Sequence, residues 1–476
     1  MVERLSPVDA AFLDAETPTQ PLNVLAVLVL DPTGVPGGAT FRLFHERVRD
    51  RVPGMTPLRR HVRRLATGQV AWVEDDEVHI DRHLRHGLLD PPGGLPELGR
   101  LTADLAAGRL PRDRPLWEAS FVEGMAGDRV AVVAKIHHCV ADGVSGIGTL
   151  ADFFDLTPDP PPPAPRRPPP DTAPDPFELA QLAVDGVRSW PGAFGRSASQ
   201  LARTWMATRA AGADAPRPPA PFTAPRLSMN HALTERRSVA FARLPLDEIK
   251  QVRRHFGVTV NDVVLALCTE ALRNHLLRHR DLPGGPVVAL VPTSERGSGD
   301  PLSGNKVSAM FCTLPVQLPD PVERLVAVQR SAALAKEHYL RRGAGVLDQV
   351  ADLFPPGTIG SAMSLIRRLK LADTLPPFAN VVVSNVRGPD FPLYVSGAPL
   401  EQLYPLGPLA EGIGLNVTVA SYLDHVHFGF LACPDLLPDV AGLAADVAGA
   451  LADLLRTAGT TERDGAPPAQ LAAVAR

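Results

Sequence analysis

The sequence has 476 residues, of which 45% are hydrophobic and 21% charged, a composition typical of a folded globular protein with about two or three domains. The formal net charge of −4 and the pI of about 6.4 provide no basic excess for neutralising nucleic-acid phosphates, which excludes DNA and RNA as expected partners. No apolar run reaches the roughly 18 residues of a membrane-spanning helix, and the N-terminus carries acids where a signal peptide would be basic and then apolar. We therefore predict a cytoplasmic protein.

The first part of the chain mixes strand and helix patterns. Apolar runs rich in Val and Ala at 23–30 and 129–136 predict strands that are buried on both faces. The helical spacing of apolar residues at 41–52 predicts a helix. Together these elements predict an N-terminal lobe of mixed α/β structure over residues 1–155.

A proline-rich stretch that begins TPDPPPPAPRRPPP at residue 157 interrupts this pattern. With a helical segment at about 176–211 and a second proline cluster at 215–226, it predicts a crossover linker over 156–226. A C-terminal lobe is predicted over 227–456, and the tail 457–476 is predicted to be disordered. The main elements predicted in that lobe are helices at 261–279 and 440–456 and strands at 287–292, 307–318, 379–386, 414–422 and 425–433.

The most informative segment is KIHHCVADGVSG, from Lys135 to Gly146. If the strand keeps its two-residue alternation, His138 lies on the same side as Ile136 and His137 lies on the opposite side. A neutral imidazole, with a reference pKa of about 6.5, can accept a hydroxyl proton near neutral pH, and such a base is worth about 10²–10⁴ in rate. We therefore predict that His138 is a general base.

The residues after the paired histidines are predicted to form a turn that orients the base. Asp142 is expected to play a structural role by bonding backbone amides or an arginine, and Gly143 is expected to let a substrate approach the backbone closely. The segment GVSGIGTLADFFDL is predicted to begin the next helix, whose amide donors would lie near the site.

Two other kinds of site are weaker interpretations. His79, Asp81, His83 and His86 lie among arginines in a predicted loop, and because the chain has no HExxH motif and no CxxC spacing, we predict no metal site. Cys139 has no separate base beside it, and there is no GxSxG motif, so a covalent acyl-enzyme is disfavoured. Direct attack by an alcohol needs no nucleophile on the protein.

The segment HHCVADG matches the HHxxxDG motif shared by coenzyme A-dependent acyltransferases and condensation domains. Six further segments resemble the bacterial wax ester synthase/diacylglycerol acyltransferase family, and the likeness covers nearly the whole chain outside the linker and tail. The segment SNVRGP differs from that family's commoner SNVPGP at Arg387, and the DFGWG motif of plant-type HxxxD acyltransferases is absent. The six segments are LSPVDAAFLDAETPTQPLNV, RPLWE, LPLDEIK, VTVNDVVLA, GNKVSAMF and NVVVSNVRGP.

This resemblance implies a fold of two chloramphenicol-acetyltransferase-like α/β lobes, with the histidine in a tunnel between them. It assigns proton abstraction to His138 and supporting roles to His137 and Asp142. Asn261, in the family's Asn-Asp pair, is expected either to cap a helix or to donate to a developing oxyanion.

Four further residues are tunnel candidates by the same resemblance. Asp262 completes the Asn-Asp pair. Pro115, Leu116 and Trp117 form an apolar family marker, for which core packing is the alternative role.

The expected activity is transfer of a long-chain fatty acyl group from acyl-coenzyme A to diacylglycerol, and also to long-chain fatty alcohols, with no cofactor. Lipid substrates imply contact with a membrane or lipid-droplet surface. The segment 357–372 combines apolar residues with Arg367, Arg368 and Lys370, which suits interfacial docking or, equally, a helix packed on the core with a basic edge. The alternative functions are transfer from a carrier-protein thioester to a polyketide or peptide alcohol or amine, and a non-catalytic lipid-droplet protein.

Overall fold

The computed structural model describes residues 2–75, 77–140, 153–159, 175–210, 217–294, 307–342, 351–355 and 357–463. Asp142 and Gly143 lie outside these residues, as does the start of the helix predicted after them. Most of the proline-rich stretch, at 160–174, and the last part of the predicted tail, at 464–476, also lie outside them.

A strand lies at each of the seven positions that the apolar runs predict, and the described residues form further strands that were not predicted. The strands are β1 Val2–Arg4, β2 Asn23–Leu30, β3 Arg60–Arg64, β4 Val70–Glu74, β5 Leu84–Leu88, β6 Trp117–Glu123, β7 Val130–His137, β8 Ser238–Pro245, β9 Val287–Ser294, β10 Val307–Leu314, β11 Val381–Val386, β12 Tyr394–Val395, β13 Ala398–Leu406, β14 Leu415–Tyr422 and β15 His425–Ala432.

The helices predicted at 41–52, about 176–211, 261–279 and 440–456 are present among the α-helices of the described residues. The α-helices are α1 Pro7–Ala15, α2 Phe41–Arg51, α3 Leu95–Ala107, α4 Pro176–Ala210, α5 Leu246–Phe256, α6 Val260–Arg278, α7 Pro321–Arg342, α8 Thr358–Arg368 and α9 Val440–Arg463.

The first large sheet is built around β2 and β7, which pair in antiparallel register with Asn23 opposite His137. Its strand order is β12–β13–β2–β7–β6–β5. One face of β2 packs against Phe44 and Val48 of α2, and the other packs against Leu98 of α3. Because both faces are covered, the central strands carry the continuous apolar runs seen in the sequence. A smaller sheet, in the order β1–β4–β3, lies beside this one.

The second large sheet has the order β10–β9–β11–β14–β15–β8. Its parallel pairs are β11 with β9 and β11 with β14, whereas the remaining pairs are antiparallel. Helices α5, α6, α7 and α9 pack on one face of this sheet and form the largest buried apolar cluster of the described residues. The chain thus forms two lobes of mixed α/β structure, which confirms the predicted fold class.

Two features differ from the organisation of the chain that the sequence predicts. Strand β13, from the second half of the chain, pairs with β2 and places Leu403 opposite Leu28, so the second half completes the first sheet. This pairing covers an edge of β2, an apolar strand that would otherwise be open to association. Helix α9 continues to Arg463, so residues 457–463 of the tail that was predicted to be disordered are helical. Helix α4, Pro176–Ala210, lies where the sequence predicts a helical segment within the linker.

Within the described part of the chain, no single helix is both long enough and apolar enough to cross a membrane. Helices α5 and α6 are long and apolar enough only if they are counted as one segment, and their axes are bent by 103° relative to each other.

Candidate active site

A cavity of about 800 Å³ lies between the two large sheets. This volume is within the range of small-molecule sites, and the walls are mainly apolar, as is usual for such sites. Both lobes and the segment that joins them contribute to the lining. The apolar lining residues include Val24, Ala26 and Leu28 of β2, Phe44 and Val48 of α2, Leu290 of β9, Met310 and Phe311 of β10, and Val382 of β11.

The imidazole of His138 lines this cavity together with Ala134 and Ile136 of β7, on the side that the strand alternation predicts. The His138 backbone N–H donates to the carbonyl of Leu22 at 2.8 Å. Its ring stacks on Phe12, with ring centroids 4.2 Å apart and an angle of 20° between the planes. Since Phe12 belongs to α1, the first helix of the chain fixes the orientation of a ring that faces an apolar cavity.

His137 lies on the opposite side of β7 and is only 1% exposed. Its Nδ1 accepts a hydrogen bond from the backbone N–H of Cys139 at 3.1 Å, and its Nε2 lies 3.7 Å from Oε1 of Glu16. Burial, assisted by the positive charge of Arg112, lowers the pKa of His137 to about 3. The ring is therefore neutral at physiological pH, and it has no access to the cavity.

Glu16 and Arg112 form an ion pair behind the two histidines, in which the Arg112 side chain is 36% exposed and the carboxylate is buried. The Glu16 side chain is 1% exposed, and its Oε2 accepts from Arg112 at 2.9 Å. Its Oε1 faces His137 and also accepts from the backbone N–H of Leu22 at 3.4 Å. The Leu22 carbonyl in turn accepts from the backbone N–H of His138. The Glu16 carboxylate therefore contacts His137 directly and supports His138 through Leu22. Sequence reasoning missed this pair, although Glu16 lies in the first segment of the family resemblance.

The Asn-Asp pair is placed at the start of α6, outside the cavity lining. Thr259 is the N-cap, and Asp262 completes a capping box by accepting from the Thr259 backbone N–H at 2.8 Å. Asn261 is not the capping residue; its Oδ1 accepts from Asn385 of β11 at 3.3 Å. Ser384, the residue before Asn385, lines the cavity. By binding Asn385, Asn261 therefore helps to hold β11 where this strand forms part of the cavity wall. Asp262 stabilises the helix start.

The Pro-Leu-Trp marker is divided between the cavity and the core. Trp117 lines the cavity, donates its indole N–H to the carbonyl of Leu58 at 2.9 Å, and stacks on His83 at 4.3 Å. Leu116 is 1% exposed and belongs to a separate apolar cluster, and the Pro115 carbonyl accepts from the Trp117 backbone N–H at 2.9 Å. Within the described residues, only Trp117 of these three contacts the cavity.

The histidine-rich segment before β6 does not converge on one point. His83 is buried, and its Nδ1 lies 2.8 Å from the Trp117 carbonyl. Asp81 pairs with His45 at 2.7 Å, while His86 pairs with Glu123 at 3.1 Å. These side chains therefore serve separate contacts.

Cys139 is fully buried beside His137, with its Sγ 3.0 Å from Nδ1 of that histidine. Burial raises the pKa of the Cys139 thiol well above its usual value. A thiolate is the reactive form of cysteine, so this thiol is poorly suited to act as a nucleophile.

Acid should destabilise the protein through its buried neutral histidines. Burial lowers the pKa of His137 and of His427 to about 3, whereas both titrate near about 6.5 in the unfolded chain. The unfolded state therefore binds more protons between these values. We expect the free energy of unfolding to fall as the pH is lowered from about 6.5 to about 4, by up to about 1.4 kcal/mol per pH unit for each ring.

The variant His427→Leu isolates one of these contributions, since neither ring nitrogen of His427 has a hydrogen-bond partner among the described residues. Urea unfolding at several pH values should give a flatter pH dependence for the variant, by up to about 1.4 kcal/mol per pH unit. Equal pH slopes for the two proteins would show that His427 titrates in the native state as it does in the unfolded chain.

Comparison with known proteins identifies a family that this chain matches in sequence. Residues 5–264 match the sequence model described as the wax ester synthase/diacylglycerol acyltransferase catalytic domain, and residues 303–455 match the model of the C-terminal domain of the same family. A Mycobacterium tuberculosis protein named as a candidate diacylglycerol O-acyltransferase, Rv1760, is 37% identical over 457 residues, which cover 95% of this chain and 90% of that protein.

Two solved structures extend the comparison to the fold. The wax ester synthase/diacylglycerol acyltransferase from Marinobacter aquaeolei VT8 superposes with a TM-score of 0.68 at 26% identity, covering 96% of this chain and 100% of that one. The first condensation domain of the calcium-dependent antibiotic synthetase superposes with a TM-score of 0.56 at 17% identity, covering 98% of each chain. At that identity the second likeness concerns the fold alone.

Proposed function

Because the chain belongs to the wax ester synthase/diacylglycerol acyltransferase family and is an acyltransferase of that type, we propose that it transfers a long-chain fatty acyl group from coenzyme A to the hydroxyl of diacylglycerol. Long-chain fatty alcohols are a second acceptor class in this proposal. The observation that carries it is the placement of the His138 imidazole on the wall of a large apolar cavity between the lobes.

In the proposed mechanism, His138 takes the proton from the acceptor hydroxyl as the oxygen attacks the thioester carbonyl carbon. The new carbon–oxygen bond forms, the carbon–sulfur bond breaks, and the coenzyme A thiolate leaves with the proton that the imidazolium returns. A positioned base of this kind is worth about 10²–10⁴ in rate. No acyl-enzyme is formed, in keeping with the raised pKa of the buried Cys139 thiol.

The surrounding residues support this role for His138 rather than for His137. Phe12 and the Leu22 carbonyl hold the His138 ring and backbone, while His137 is buried away from the cavity. Holding donor and acceptor in one apolar cavity supplies proximity and restricts water, which would otherwise hydrolyse the thioester. The long acyl chain would lie along the apolar walls, and its lipid origin implies peripheral contact with a membrane or lipid droplet.

The direct test is to incubate the purified protein with palmitoyl-coenzyme A and either dioleoylglycerol or hexadecanol, following thiol release and ester product together. We expect ester formation with dioleoylglycerol and a smaller yield with hexadecanol. Thiol release without ester would indicate hydrolysis and contradict the proposal. Failure with both acceptors, combined with transfer from an acyl-carrier-protein thioester, would replace coenzyme A by a carrier as the donor.

A substitution in the cavity wall should change the chain-length preference. Ala309 and Phe311 line the cavity, whereas Cys312 and Leu314 of β10 are buried in the core against the helices of the second lobe. The variant Ala309→Trp should lower kcat/KM for palmitoyl-coenzyme A by about 10–100-fold, because the indole occupies space needed by the acyl chain. With butyryl-coenzyme A, kcat/KM should change much less.

Ala309→Ser provides the matched control because it changes the same side chain without filling the cavity. The control should keep the wild-type ratio of the two kcat/KM values. An equal loss with both donors in Ala309→Trp would mean that the long acyl chain does not lie along β10.

A further inference from the structure

The cavity reaches solvent at one identifiable place among the described residues. Of the side chains that line it, those that are exposed belong to Arg217, Ala220, Pro221 and Phe378. The first three lie on the segment that follows α4, and Phe378 lies just before β11. The rim of the cavity is therefore formed where the connection between the lobes meets the second sheet.

Arg226, which follows the rim segment, donates to the carbonyls of Ala372 and Leu375 in the chain that leads to Phe378. Exposed apolar side chains along this chain and at Phe222 form a surface next to the rim. We call it the rim patch, and its apolar side chains are between 37% and 56% exposed. Scattered exposed apolar residues are ordinary on protein surfaces, whereas a contiguous group beside a binding cavity indicates an interaction site. The apolar residues of the rim patch are Phe222, Leu365, Leu369, Leu375 and Phe378.

Direct contacts connect the rim patch to the cavity. The Phe222 ring packs edge-on against Phe378 at 5.3 Å, and Phe378 packs in the same way against Phe311 at 5.2 Å. Phe311 lines the cavity interior. An aromatic path therefore runs from the protein surface into the cavity.

Helix α8 presents the outer part of the rim patch. Its half-buried side chains include Ile359, Met363 and Ile366, which share one face of the helix. Leu365 and the following Leu369 are spaced i, i+4 and lie on a neighbouring face that is exposed. No residue of α8 is fully buried. The helix thus has more apolar surface than its contact with the protein covers.

Basic side chains surround these apolar ones. Arg367, Arg368 and Lys370 are exposed at the C-terminal end of α8. Arg226 is also exposed, and its guanidinium donates to the Ala372 carbonyl at 3.0 Å, holding the chain that follows α8. A local basic cluster on a chain of net charge −4 is complementary to an anionic surface.

We propose that the rim patch docks the enzyme on an anionic phospholipid bilayer, with Leu365, Leu369 and Phe222 in the acyl region and the basic side chains at the headgroups. This orientation places the cavity rim against the bilayer. Given the proposed function, on which this step rests, the lipid acceptor enters the cavity directly from the membrane without crossing water. Apolar burial combined with attraction to anionic lipid is the physical basis of interfacial binding.

The test uses the full-length protein and phosphatidylcholine vesicles with or without phosphatidylglycerol. The double variant Leu365→Glu/Leu369→Glu should bind the anionic vesicles at least about 10-fold more weakly than wild type, because two carboxylates replace apolar contacts at a negative surface. The matched control is Leu88→Glu/Leu277→Glu, which makes the same charge change at two exposed leucines outside the rim patch. The control should bind as wild type does.

Activity measurements separate this inference from the proposed function. With butyryl-coenzyme A and hexanol in solution, both double variants should match wild type. With dioleoylglycerol in vesicles, only the rim-patch variant should lose activity, by about 10-fold or more.

Undiminished vesicle binding by the rim-patch variant would overturn the docking proposal even if transfer is active. A wild-type dimer that this variant dissociates, with vesicle binding unchanged, would assign the patch to a second copy instead. Inactivity of wild type with every acceptor would overturn the proposed function, while vesicle binding would still decide the docking.

Discussion

Replacement of His138 by alanine should lower kcat by about 10²–10⁴, because the acceptor hydroxyl would lose the base that takes its proton in the transition state. KM for palmitoyl-coenzyme A should change little, since the apolar walls that hold the acyl chain remain in place. The measurement is the rate of ester formation from palmitoyl-coenzyme A and dioleoylglycerol. Added imidazole should partly restore the rate, because the vacated position faces a cavity large enough for a small base.

The matched control is His86→Ala, which removes an exposed histidine from the same sheet. His86 pairs with Glu123 at 3.1 Å and does not line the cavity. It should keep wild-type kcat, and both variants should unfold at the wild-type temperature. Retention of kcat by His138→Ala would show that the proton is taken by another group.

Replacement of Asp155 by asparagine should cause the largest loss of stability. The Asp155 carboxylate is 2% exposed and pairs with Arg47 and with Arg51, the latter at 2.5 Å. Removing its charge takes away the counter-charge that Asp155 supplies to two partly buried guanidinium groups, and breaking a buried ion pair in this way typically costs about 3–5 kcal/mol. The free energy of unfolding, measured in urea, should fall by an amount in this range.

The activity of this variant should fall with its stability, because the two arginines belong to α2, whose Phe44 and Val48 form part of the cavity wall. Asp113→Asn is the matched control: Asp113 pairs with Arg82 at 2.7 Å, but both side chains are exposed. A surface pair of that kind contributes about 0–1 kcal/mol. Equal losses in the two variants would mean that burial does not strengthen the Asp155 contacts.

The sequence by itself determined the features that depend on local patterns. Continuous apolar runs identified β2 and β7, because strands covered on both faces need apolar side chains at every position. Strand alternation at the end of β7 separated His138 from His137, since successive side chains point to opposite faces. The family resemblance, confirmed over both halves of the chain, supplied the two-lobe fold.

Tertiary structure decided the features that depend on residues distant along the chain. The Glu16–Arg112 pair joins residues 96 positions apart, and β13 reaches back from residues 398–406 to pair with β2. Asn261 was open to a capping role from the sequence, but Thr259 is the cap and Asn385 holds the Asn261 amide. A local pattern gives the face on which a side chain lies, whereas its partner depends on which elements fold against that face. For this reason the sequence placed His138 on one side of β7, and only the folded chain showed what holds this histidine and where its cavity meets solvent.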